Sequence, residues 1–134
     1  VRGVTVAKWR AWAGIGGPVA FIAAWSTLGA TRAGYSPVHD PISRLAAVGA
    51  STRPAMTAGF LAFAAGVGIY ASAPRDPAFT AASRAGVVTA AASVGIAALP
   101  LGGPGGDQLH AAAAGVAYAA LAAVPLFAAR PLAD

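Results

Sequence analysis

The sequence predicts an all-α fold, a polytopic membrane helix bundle of four transmembrane helices with a short interfacial helix at about residues 40–50. Three observations predict it. Of the 134 residues 57% are hydrophobic and only 10% charged, where soluble domains carry about 25% charged residues. Charge is absent from residues 11–31, 54–74, 85–106 and 111–129, and each run reaches the about 18–20 residues a helix needs to cross a hydrocarbon core. The runs also lack the polar stripe at a period of 3.6 that an Ala-rich soluble bundle would show. Between Ala111 and Ala129 only Gly115, Tyr118 and Pro125 interrupt the apolar sequence. A helix apolar all round is buried in protein or in lipid, and four of them in so short a chain cannot all be buried in protein.

Residues 1–134 read as a single transmembrane domain with spans at about 11–31, 54–73, 85–101 and 108–129. Arg2, Lys8 and Arg10 form a basic leader. The run that follows is about twice the length of a signal-peptide core and ends without a small-x-small cleavage site, so it reads as an uncleaved first helix. Trp9 and Trp12 stand at its start, where indole rings favour the membrane interface. Gly34 and Pro37 then break the chain. Asp40 followed by Pro41 reads as the N-cap and first position of a short helix. Ile42, Leu45, Ala46 and Gly49 would share one face opposite Arg44, the pattern of an amphipathic helix at the interface. Pro54 opens the second span, and residues 74–84 form a Pro-rich turn into the third. A Gly/Pro-rich connection then runs from Pro100 to Asp107, which reads as the N-cap of the fourth. Glycines within the spans, among them Gly14, Gly17, Gly59, Gly66 and Gly86, allow close helix contact where lipid supplies no hydrophobic drive.

The absence of cysteine excludes disulfides, thiolate catalysis and cysteine-bound metals. The net charge of +5 comes from basic residues scattered singly between apolar runs. This is no nucleic-acid stripe, and it serves as a topology signal. Arg2, Lys8, Arg10, Arg75, Arg84 and Arg130 fall on one side of the four-span arrangement; Arg32, Arg44 and Arg53 fall on the other. The positive-inside rule then places a multi-pass protein in the cell membrane with both termini cytoplasmic and the 32–53 and 102–107 connections outward.

Gly17-Pro18 in the first helix, Gly34-Tyr35-Ser36-Pro37, Asp40-Pro41-Ile42-Ser43-Arg44-Leu45, and Pro100 followed by Asp107–His110 together resemble a bacterial membrane protein family, domain of unknown function 998. The first motifs are the more specific, and the resemblance covers most of the chain. It implies a helical membrane protein with no assigned activity. It also implies relatives of about six spans, so four spans are expected to be a truncated form of such a bundle.

The outward side gathers Tyr35, Ser36, His39, Asp40, Ser43, Arg44, Asp107 and His110, and ionisable groups at a membrane invite a functional hypothesis. Each also has a local reading. Asp40 and Asp107 cap helices, and Arg44 pairs with Asp40 four positions away. Ser43 back-bonds within its turn, and His110 bonds a cap or loop carbonyl. Of the functional readings, the first is binding of a lipid head group or small polar ligand by Tyr35, Asp40, Ser43, Arg44, Asp107 and His110. The alternative is a membrane-embedded lipid hydrolase with Ser43 as nucleophile, His110 as base and Asp107 as orienting acid. Another alternative is an accessory subunit packing against a membrane protein partner, or against its own copies, through small-residue faces. A metal site of His39, Asp40, Asp107 and His110 matches no recognised spacing, and neither a metal nor a cofactor is expected. The expected surroundings are the lipid bilayer, with no nucleic acid.

Overall fold

A computed structural model describes residues 8–73 and 76–129; Arg2, Arg75 and Arg130, on which the side assignment partly draws, lie outside the described residues. Four long helices follow one another: α1 (Lys8–Thr31), α2 (Arg53–Ala71), α3 (Thr80–Ala98) and α4 (Gly106–Ala129). All four are long and apolar enough to cross a membrane, and the protein is a helical multi-pass membrane bundle.

The boundaries follow local chemistry. Gly34, at φ +74°, turns the chain out of α1 in the left-handed conformation that glycine adopts without strain. Pro54 sits in the first turn of α2, where its missing N–H costs nothing. Pro18 and Pro125 lie inside α1 and α4, which membrane helices tolerate because neighbours and local adjustments satisfy the freed carbonyls.

The third span starts earlier than residue 85, because Arg84 does not end the helix: Asp76 accepts a hydrogen bond from the Ala78 N–H, Pro77 follows it, and a 3₁₀ turn at Pro77–Phe79 leads directly into α3. It also ends earlier, at Ala98, ahead of Pro100.

Each helix packs on the one before it, α1 on α2, α2 on α3 and α3 on α4, whereas α1 and α4 are not paired. The central pair carries most of the buried positions. Of the described residues α1 buries only Gly17, and α4 only His110 and Ala117. The remaining faces of α1 and α4 present large apolar groups outward, such as Trp12 and Leu126, as lipid contact requires. The α1–α2 seam is close because it is built on glycine. A Cβ on Gly17 would stand 2.6 Å from the Ala62 carbonyl oxygen, and one on Gly66 would run into the Ala13 carbonyl.

The core sits at the end of the bundle that carries the long 32–52 connection. Met56 and Phe60 of α2, Ile96 of α3 and Ala117 of α4 meet Leu45 and Ala46 from that connection, and Leu45 is fully buried. The short helix expected at 40–50 is therefore a five-residue 3₁₀ turn, Ile42–Ala46. Its apolar face enters the bundle rather than resting on the bilayer surface, because the ends of α1 and α2 leave an opening that Leu45 fills. Gly49 is exposed and does not share that face.

Candidate polar site at the long-connection end

The long connection is held by its own polar groups. The Ser36–Asp40 segment is a turn in which the Asp40 N–H donates to the Ser36 carbonyl at 2.8 Å. In return the Asp40 Oδ2 accepts from the Ser36 N–H at 2.8 Å. Asp40 is thus not the N-cap of the following helix. Pro41 holds that position, with no side-chain cap. The carboxylate closes the turn behind it and pairs through Oδ1 with Arg44. The Ser36 N–H, and after it the Arg44 hydrogen bond and the Arg44 and His39 charges, hold the Asp40 carboxyl below its ordinary value of 3.8, against the opposing effect of burial.

Arg32, at the end of α1, organises the far side of the connection. Its Nη1 donates to the Arg44 carbonyl at 2.9 Å and to Thr52 Oγ1 at 3.2 Å, and Thr52 Oγ1 donates to the Leu45 carbonyl at 2.7 Å. Tyr35 folds back against α1, where its hydroxyl accepts from Trp25 Nε1 at 3.1 Å. A Cβ on Gly29 would lie 3.0 Å from the Tyr35 ring, so the glycine makes room for the tyrosine.

The second motif reaches the same end. The Val48 N–H donates to the Leu101 carbonyl at 2.9 Å, tying the long connection to the α3–α4 connection. Asp107 lies in the first turn of α4 rather than at its N-cap, because the helix starts at Gly106. Its Oδ1 accepts from the Gly102 N–H at 2.8 Å. His110 is buried, and its Nδ1 lies 2.7 Å from the Leu99 carbonyl oxygen. A carbonyl only accepts, so Nδ1 carries the proton; in the neutral ring this leaves Nε2 as an acceptor.

The two sequence-distant motifs therefore stand at one end and are joined through backbone. Within that end they form two groups. Tyr35, Asp40 and Arg44 belong to the long connection, and Asp107 and His110 belong to the start of α4. Ser43 lies half-buried on the 3₁₀ turn. Among the described residues no hydrogen bond joins Ser43, Asp107 and His110 to one another, since Asp107 and His110 engage the backbone of 99–102 instead. Among the described residues no three metal-ligating side chains converge. Sequence reasoning missed Arg32 and Thr52; the only signal available was an arginine directly after an apolar helix, which is equally common in simple membrane anchoring. The most exposed charged group on the connection is Arg44, whose side chain is 56% exposed while that of its partner Asp40 is 13% exposed.

The family described as "Protein of unknown function (DUF998)" matches residues 15–134. No curated protein and no solved structure matches the chain.

Proposed function

This chain belongs to the DUF998 family of proteins of unknown function, and we propose that it is a membrane protein that holds a lipid head group or small anionic ligand at the long-connection end. The observation that supports this reading is the state of Arg44. Asp40 takes one nitrogen of its guanidinium, Nη1, and the arginine side chain is 56% exposed. A planar guanidinium with free donors suits a phosphate or carboxylate. Arg32 stands directly behind it, on the Arg44 carbonyl, and adds positive charge. The Lys/Arg bias turns this end away from the cytoplasm.

Head groups without chains test the reading. Thermal melting of the detergent-solubilised protein is expected to shift upward with millimolar glycerol phosphate and not with glycerol. Arg44→Gln is expected to abolish the shift. A wild-type protein indifferent to glycerol phosphate would sink the proposal. The hydrolytic reading has less support, because the base and the acid are turned to backbone partners rather than to each other.

A further inference from the structure

We infer a second site, at the opposite end of the bundle, that takes the acyl chain of an anionic glycerophospholipid between α1 and α4. Because α1 and α4 are not paired, a cleft runs between them over the α2–α3 floor, and it contains two cavities. The smaller, of about 140 Å³, lies near the long connection among Phe21, Phe60 and Tyr118. The larger, of about 360 Å³, lies at the other end, lined by Gly14 of α1, Tyr70 of α2, Ser83 and Gly86 of α3, and Val124 and Ala128 of α4. Leu121 lines both, so the two are successive lobes of one groove.

Size selects the occupant. A 20-residue helix is a cylinder about 30 Å long and 10 Å wide, roughly 2,400 Å³. A lobe of about 360 Å³ cannot enclose a helix and suits a slender flexible chain.

Two further observations give the occupant a polar end. The Ser83 Oγ is, among the described residues, the buried side-chain polar atom without a hydrogen-bond partner. Deeper in α3, Thr89 and Ser93 satisfy their hydroxyls on the carbonyls four residues back, Ala85 and Thr89. The residue four back from Ser83 is Phe79, which belongs to the 3₁₀ turn ahead of the helix. A buried hydroxyl without an acceptor is costly, and the ester carbonyl of a lipid supplies one at the depth of the first helical turn. The charge at this end is positive: Lys8 and Arg10 begin α1, and Arg84 adjoins Ser83. Asp76, the acidic residue at this end among the described residues, is occupied by the Ala78 N–H. The phosphate of an anionic lipid complements this set.

The test uses the whole protein in nanodiscs of equal dioleoylphosphatidylglycerol and dioleoylphosphatidylcholine, with retained lipids counted by native mass spectrometry. Wild type is expected to retain phosphatidylglycerol preferentially. Val124→Trp, which fills the larger lobe, is expected to lose that lipid, and Ser83→Ala to weaken retention about five-fold, the weight of one hydrogen bond. Val38→Ser, at the exposed tip of the far-end turn, is expected to leave this retention unchanged, and the difference between wild type and Val124→Trp reads this site apart from any lipid held at Arg44. Retention by Val124→Trp at the wild-type level, or equal retention of both lipids by wild type, overturns the inference. Should Val124→Trp not fold, photo-crosslinking of wild type decides, with phosphatidylglycerol carrying a diazirine in its acyl chain. Adducts at Tyr70, Val124 and Ala128 support the groove; adducts confined to outward positions such as Ile15 and Leu126 refute it.

Discussion

Asp40 serves the turn before it and the arginine after it, and its carboxyl is held below the ordinary 3.8 chiefly by the Ser36 N–H. A carboxyl with a lowered folded pKa stabilises the fold fully above its unfolded value, and loses that contribution as pH falls through the folded value. The long connection is therefore expected to be pH-independent from neutrality down to about the unfolded value and to loosen below it. Hydrogen exchange of the 36–48 amides checks this, and Asp40→Asn is expected to show the fast-exchanging state already at neutral pH. His110 contributes from a buried position. Replacing it by Ala leaves the Leu99 carbonyl without its donor and is expected to cost about 1–3 kcal/mol of stability, measured by thermal melting in detergent. If the hydrolytic reading were correct, the same variant would abolish activity on lipid esters with little change in melting. At this scale the sequence was partly legible. The Asp40–Arg44 pair and the carbonyl partner of His110 were visible from spacing. The partners of Asp40 and Asp107 on the main chain were not, because a side chain that reaches backward to a turn leaves the same sequence as one that caps the helix ahead.

The helices illustrate what apolar runs do and do not encode. Charge-free stretches marked out four spans in number and order, because in a bilayer a charge marks where a helix must leave hydrocarbon. They misplaced the start of α3, where Arg84 sits inside the helix. The small 3₁₀ turn at Ile42–Ala46 was expected as a surface helix; period alone does not say whether an apolar face meets lipid or protein. The glycines were legible as packing residues, while their specific pairing needed the structure. Gly17 and Gly66 face each other across the α1–α2 seam. Gly17→Leu is expected to push α1 off α2 at a cost of about 1–3 kcal/mol, read as a lower melting temperature, whereas Gly115→Leu, where a Cβ would meet open space, is expected to be near neutral. Equal effects of the two substitutions would refute the seam.

For the whole molecule, the side assignment is the largest expectation still to be measured, and the chain is well suited to it because it contains no cysteine. Val38 stands at the tip of the Ser36–Asp40 turn and is 82% exposed, and Ala81 lies at the other end, in the first turn of α3. In intact cells a membrane-impermeant thiol reagent is expected to label Val38→Cys and to spare Ala81→Cys until the cells are permeabilised; the reverse pattern inverts the topology. The family and the membrane bundle were legible from the sequence. The cleft was not, because nothing in four apolar runs says which two stay unpaired. The packing of each helix chiefly on its predecessor also bears on how the molecule is made. Every interhelical seam joins spans adjacent in the chain, so loop-closure entropy is small at each step and contact order is low. As each span leaves the translocon, the partner it needs is already in the bilayer, and no span must wait for a later one. The long connection is the exception: its bond from Val48 to Leu101 and the packing of Leu45 and Ala46 with Ile96 and Ala117 cannot form until α3 and α4 are made. Assembly is thus expected to finish with a latch: the long connection, synthesised second, is the last part of this end to become fixed.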